Sequence, residues 1–335
     1  MTDDLQDLPP SEGVKRFLRH REPSVRESTL ENARTRLNYF KAWCAERDIE
    51  NLNDLTGRDL SDFVAWRRDD IAALTLQKQL STIRQALRYW ADIEGVREGL
   101  AEKVHAPDLP DGAESRDELL KSDRAERILN YYNQYHRSSR IHAVLTILWR
   151  TGMRRSALRS IDVDDLRPED NAIVLRHRLD DGTRLKNGEN GERWVWLRPR
   201  DYEVVEGYRE NPDRHDVTDD HGREPLVTTQ YGRPTGDTIY NWVNQATHPC
   251  NLGECPHDRE PETCDARGAD GYPSKCPSAR SPHDIRRGSI TTHLNDSTPP
   301  ETVSERMDVS LDVLYKHYDA RTEREKMNVR KNHLE

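Results

Sequence analysis

The stretch "SARSPHDIRRGSITTHL", residues 278–294, places His283 and Arg286 three positions apart behind a Ser-Pro step. Ser281 suits an N-cap, Pro282 the first helical position and Asp284 the third, which is the spacing of a capping box. His283 and Arg286 then share one face of the opening turns, about 5–6 Å apart at Cβ. Free backbone N–H groups and the helix dipole favour an anion there, so the chemistry is that of a phosphate or carboxylate site. Three other stretches carry comparable groups. In "WRTGMRRSALRSI", Thr151-Gly152 breaks an apolar helix just before Arg154, whose planar fork suits phosphate oxygens. In "TRLKNGENGE", Lys186 stands at the edge of a turn, where a flexible ammonium can reach a ligand and pass a proton. In "LDVLYKHYDART", Tyr315 and Tyr318 lie on either side of His317. A phenol is a weak nucleophile at neutral pH unless cations stabilise its phenolate. Taken singly, each stretch has a plainer explanation: an exposed helix start, a surface arginine, a solvated hairpin lysine, a core aromatic.

The elements that must carry these groups follow from periodicity. Residues 1–10 read as a loose acidic tail. Residues 11–105 have helical spacing throughout, with Leu30, Ala33, Leu37, Phe40 and Trp43 on one stripe and Leu76, Leu80, Ile83, Leu87 and Trp90 on another. They predict a bundle of four or five short helices. Residues 106–115, rich in Pro, Asp and Gly, predict a linker. The second domain, 116–335, opens on helices, including the most apolar stretch of the chain, "SRIHAVLTILWRTGMRRSALRSI". Strand signals follow in "NAIVLRHR" and in "TRLKNGENGERWVWL", where β-formers on either side of an Asn-Gly turn predict a hairpin carrying Lys186. Helices then return to the end. The fold class expected is mainly α with a small β-sheet.

With 335 residues, two domains with ordinary cores are expected. No window holds 18 apolar residues, and the acidic start lacks the apolar core of a signal peptide, so a cytoplasmic protein without membrane contact is expected. The net charge of -9, with Arg far in excess of Lys, suits solubility in concentrated salt. Nucleic-acid binding stays open, because a local basic face is sufficient. Five cysteines are present, and Cys250, Cys255, Cys264 and Cys276 crowd into residues 248–280. In a cytosolic chain such clustering favours a metal over disulfides. Four thiolates are enough for a tetrahedral structural zinc, with His248 and His257 as substitutes. The Gly/Pro-rich segment has too few apolar residues to fold without such help.

The order of the four stretches adds what none carries alone. An Arg, a hairpin Lys, His-x-x-Arg and a Tyr near the C-terminus resemble the tyrosine recombinase, or phage integrase, family. The matching residues are "TGMRRSAL", "LKNGENGERWVWL", "PHDIRRGSITTHL" and "SERMDVSLDVLYKHYD", and their wording looks especially like haloarchaeal integrases. The resemblance covers the whole chain. It implies a helical, SAM-like core-binding domain followed by an α+β catalytic domain, two domains that clamp duplex DNA, and a homo-tetramer on DNA from a monomer or dimer in solution. It implies that Tyr318 attacks a phosphodiester to form a 3′-phosphotyrosyl bond. Arg154 and Arg286 would hold the non-bridging oxygens, Lys186 would protonate the leaving oxygen, and His283 would help remove the phenol proton. No catalytic metal or cofactor is implied. Tyr318 rather than Tyr315 keeps the family's distance from Ser310. Two departures stand out. The family often reads Leu-Gly-His where this chain has Met307-Asp308-Val309, and its Glu after the first Arg motif is Ala157. The alternative expectation is a zinc-stabilised DNA-binding relative without strand transfer. A third is a relaxing enzyme resembling type IB topoisomerases.

Overall fold

A computed structural model describes residues 5–108, 118–179, 182–260, 262–267 and 271–332. The first four residues of the expected tail and residues 109–115 of the expected linker lie outside them. The chain divides into two compact units, Met1–Arg116 and Asp117–Glu335.

The first unit contains helices α1 (Pro10–Arg21), α2 (Glu27–Glu46), α3 (Gly57–Arg68) and α4 (Ala73–Asp92). Its core is aromatic: Phe17, Phe40, Trp43, Phe63 and Trp90 are buried with Val14 of α1 and leucines from α2, α3 and α4. All five apolar residues of the α4 stripe are buried, whereas on α2 the stripe is fully buried only at Leu37, Phe40 and Trp43. α4 packs against α1, α2 and α3, whereas Leu30 and Ala33 of α2 line surface clefts and stay half-buried. Thr56 and Asp59 close a capping box on α3. Residues 6–9, read from sequence as part of a loose tail, lie on this unit. Leu8 is buried in its core, and its carbonyl accepts from Leu52 N–H at 2.9 Å.

The second unit is built around α6 (Arg140–Thr151), buried at every position from His142 to Trp149. A helix apolar on all sides must be wrapped. Around it pack α5 (Ser122–Tyr135), α7 (Arg155–Ser160), α8 (Pro199–Arg209), α9 (Gly236–Ala246) and α10 (Pro282–Asn295). The C-terminal part continues through α11 (Pro300–Met307), α12 (Leu311–Val313), a π-helical turn over Leu314–Tyr318, and α13 (Glu323–Asn332). Among the described residues one sheet forms, in the order β1 (Leu166–Arg167), β2 (Ala172–Leu175), β3 (Arg193–Trp196), all antiparallel, with Ile173 opposite Val195. The expected hairpin is displaced. Residues 184–187 form no strand, and the ladder runs instead from "AIVL" to "RWVW", so Lys186 stands in the long connection between them. The polar run Asn187 to Asn190 has no apolar face to bury, and Gly188–Gly191 closes as a short 3-10 turn. Among the described residues, no helix is long and apolar enough to cross a membrane.

Candidate active site

Arg154 is placed by a helix end. Gly152 caps α6 in the left-handed conformation, φ +58°, and turns the chain so that Arg154 becomes the N-cap residue of α7. A Cβ at Gly152 would stand 2.5 Å from Met307 Sδ, so the turn also needs glycine for space. His283 and Arg286 are placed by the start of α10. Ser281 accepts from Asp284 N–H at 3.3 Å, and Asp284 accepts from Ser281 N–H at 2.7 Å. That capping box and Pro282 start the helix where the sequence placed it.

Arg286 is 1% exposed. Its Nη1 donates to the carbonyls of Gly152 (2.8 Å) and Met307 (2.7 Å), and its Nη2 to that of Asp308 (3.4 Å). Among the described residues its Nε has no partner. A guanidinium buried among carbonyls is fixed in place but not neutralised. Its pKa is lowered, first by burial, with Arg154 pulling the same way and Tyr318 and Asp308 opposing. The guanidinium carbon lies 5.1 Å from the centre of the Tyr318 ring, and the His283 ring centre 5.4 Å from it.

Tyr318 closes the π-helical turn, a wider winding than an α-helix and one often found at functional sites. It packs with Ile290, Leu294, Val303, Met307, Val309 and Leu314, and its carbonyl accepts from Thr291 Oγ1 at 3.1 Å. Tyr315, by contrast, is 52% exposed. Val309 is buried in the same cluster, so the position that reads His in the resembling family is an apolar packing site here.

Arg154, Lys186, His283, Arg286 and Tyr318 line one cavity of about 460 Å³. Its wall also includes Arg155, Ser156 and Tyr240. The sequence reading missed these three; Arg155 and Ser156 adjoin Arg154 in the chain, but Tyr240 lies on α9 in a stretch read only as a helix. Asp308 was noted only as a departure from the family pattern. Its carboxylate pairs with Arg154 through Oδ2 and accepts from Asn187 Nδ2 at 2.6 Å through Oδ1.

The cavity is electropositive although the chain is acidic. The His283 pKa is lowered, first by burial and then by Arg286, Arg287 and Lys186, against the opposing Asp284. An imidazole held neutral at neutral pH can accept a proton. Arg193 is pushed down to about 10, chiefly by burial, with Arg286, Arg154 and Arg306 adding and Asp308 opposing. Like charges gathered in a partly dry pocket favour an anionic ligand with several oxygens.

The four cysteines do not converge. Cys264 packs against the small cluster that contains buried Cys276, but among the described residues no group of three or more His, Cys, Asp or Glu side chains could hold a metal ion. His248 and His257 are engaged elsewhere, with the Pro273 carbonyl and the Ser278 hydroxyl. As placed, the residues do not form the zinc site expected from sequence. The segment is held by turns and by these hydrogen bonds.

Comparison with known proteins agrees with this architecture. The family model described as "Phage integrase, N-terminal SAM-like domain" matches residues 14–92. Tyrosine recombinase XerC of Escherichia coli O157:H7 is 24% identical over 193 residues, covering 56% of this chain and 64% of the relative. The match thus spans less than two thirds of that relative's own length. Among solved structures, the Tn1549 transposon integrase in complex with a circular intermediate DNA superposes with a TM-score of 0.69 at 16% identity, covering 98% of this chain and all of that one. A lambda integrase tetramer bound to a Holliday junction superposes with a TM-score of 0.67 at 12% identity, covering 96% and 80%. The mostly helical fold with one small sheet is that of the integrases. Residues 14–92 match the SAM-like domain of phage integrases, and the chain as a whole is similar to the tyrosine recombinases.

Proposed function

We propose that this protein is a site-specific DNA recombinase that cleaves and rejoins DNA through a 3′-phosphotyrosyl intermediate. Tyr318 Oη attacks the scissile phosphorus, and the bond from phosphorus to the 5′ oxygen breaks. The phenol proton passes to His283, and Lys186 donates a proton to the departing 5′ oxygen. Arg154 and Arg286 hold the non-bridging oxygens, whose charge grows as the pentacoordinate transition state forms. The phosphodiester's energy is kept in the phosphotyrosyl bond, so the reverse attack by a 5′-hydroxyl needs no ATP. The observation that supports this most is the lining of one cavity by five side chains scattered from residue 154 to 318. Burial of Arg286 adds weight, because a fixed guanidinium needs no reorganisation at the moment of reaction.

Duplex DNA is the proposed partner, and assembly into a tetramer on it is proposed by likeness to the lambda integrase assembly. A cytoplasmic location and a haloarchaeal source belong to the same proposal; the charge of -9 and the wording of the motifs support them. So does a structural zinc on Cys250, Cys255, Cys264 and Cys276, which rests on the cysteine content of residues 248–280 and requires the first two thiols to close on the others. The alternative, a DNA-binding relative without strand transfer, is favoured only by Val309, a buried valine where a phosphate donor stands in the resembling family. A duplex nicked beside the cleavage site traps the covalent product and decides between them. The expected result is a protein–DNA adduct that Tyr318→Phe abolishes. DNA binding without any adduct in the wild-type chain would overturn the proposal in favour of the alternative.

A further inference from the structure

We propose that Asp308 is a positioning residue for strand cleavage, its carboxylate orienting the Arg154 fork and tying it to the loop that carries Lys186. This inference rests on the recombinase reading of the cavity.

The residue stands where the family pattern has glycine, and it adopts a glycine-like conformation, φ +54°, at the end of α11. Asp tolerates the left-handed region better than most side chains, but glycine does so without steric cost. A chain that places Asp here accepts some backbone strain and gains a carboxylate. The two oxygens are divided between partners. Oδ2 pairs with Arg154 Nη1, and Oδ1 accepts from Asn187 Nδ2. Both charged side chains are largely withdrawn from solvent, 19% exposed for Arg154 and 12% for Asp308, so screening is weak.

The contact is one-sided in a useful way. Only one arm of the guanidinium is engaged, and among the described residues the Arg154 side chain has no other hydrogen-bond partner. Its Nε and second Nη keep their donors for phosphate oxygens in the cavity. Asn187 follows Lys186 directly, so the same carboxylate sets the height of the lysine loop against the arginine. The backbone of this residue joins the other arginine, since the Asp308 carbonyl accepts from Arg286 Nη2. One position thus links the Arg154 turn, the Lys186 loop and the Arg286 helix. It also sits one short helix before Tyr318. Its charge opposes the mutual repulsion of Arg154, Arg193, Arg286 and Arg306, a cluster that has to persist before any phosphate arrives.

The competing idea is a latch, in which the carboxylate imitates phosphate and must be expelled by DNA. The two make opposite predictions. In the full chain, Asp308→Asn keeps the shape and the oxygen but removes the charge. The test measures affinity for the nicked duplex, and separately the rate of adduct formation at saturating DNA. Loss of one charge-assisted contact used in the transition state predicts about ten- to a hundredfold slower cleavage. Affinity should stay within about twofold, because the effect is confined to the transition state. Asn187→Ala should act in the same direction, and the double variant should be slower by less than the product of the two single effects, since both break one contact. Unchanged or faster cleavage by Asp308→Asn overturns the inference, and faster cleavage with tighter binding establishes the latch. Additive effects, or a rate loss that merely follows a fall in melting temperature, also overturn it. A wild-type chain that forms no adduct removes the recombinase reading and this inference together. An active wild type with an equally active Asp308→Asn removes only this one.

Discussion

Replacing Gly152 by alanine adds one methyl group at the hinge of the site. The new Cβ meets Met307 Sδ at 2.5 Å and Cε at 2.9 Å. Met307 is fully buried, so the sulfur has little room to retreat. The backbone adds to this, because φ +58° is the left-handed region, and a side chain there costs roughly 1–2 kcal/mol. Overpacking a closed core costs about 1–3 kcal/mol, and the flexibility of methionine favours the lower end. The sum is about 2–4 kcal/mol. A domain the size of residues 117–335 loses about 2–4 °C of melting temperature per kcal/mol, so the transition of this unit should fall by at least about 4 °C. Calorimetry on the full chain reads it. Because the Gly152 and Met307 carbonyls both receive Arg286 Nη1, adduct formation on the nicked duplex should slow as well, beyond what unfolding removes. A melting temperature within about 1 °C of wild type, together with an undisturbed cleavage rate, would refute the argument that this turn leaves no space for a side chain and positions Arg286.

Two further outcomes are expected. The buried His142 has its pKa pushed down from the ordinary 6.5 to about 4, mainly by burial and also by Arg137, and its Nδ1 accepts from Ser138 N–H. The folded form is therefore neutral where the unfolded chain takes up a proton, so stability is full above pH 6.5 and declines as pH falls toward 4, by about 3 kcal/mol from this group. Melting temperatures between pH 7.5 and 5 should fall, and His142→Gln should flatten the slope; a slope identical to wild type contradicts the assignment. For the cysteine segment, chelation should release zinc and speed proteolysis within residues 248–280, and equal cleavage with and without chelator removes the metal.

Much of the site was readable because helix starts and stops are local. Ser281, Pro282 and Asp284 announce where α10 begins, and the Thr151-Gly152 step announces where α6 ends, since capping and left-handed turns depend on a few neighbouring residues. The α4 stripe was legible for a similar reason, as 3.6-residue periodicity reports directly on a buried face. Lys186 was harder. Its stretch has β-formers on both sides of an Asn-Gly pair, but strand pairing is decided by the distant partner, and Ala172–Leu175 took that place. The cysteines were harder too, because thiol number says nothing about convergence. Four lie within residues 248–280, but among the described residues the fold gathers no group of three or more metal-binding side chains.

By itself the sequence determined the helical character of both units, the termini of the helices that bear His283, Arg286 and Arg154, and the order in which the reactive groups occur. All of these follow from interactions within a few residues of each other. Only the tertiary structure decided that the groups share one cavity, that Tyr318 faces it while Tyr315 does not, that Arg286 is buried among carbonyls, and that Asp308 joins Arg154 to Asn187. Several of those contacts join positions more than a hundred residues apart. They depend on how the helices wrap α6, which no local pattern encodes.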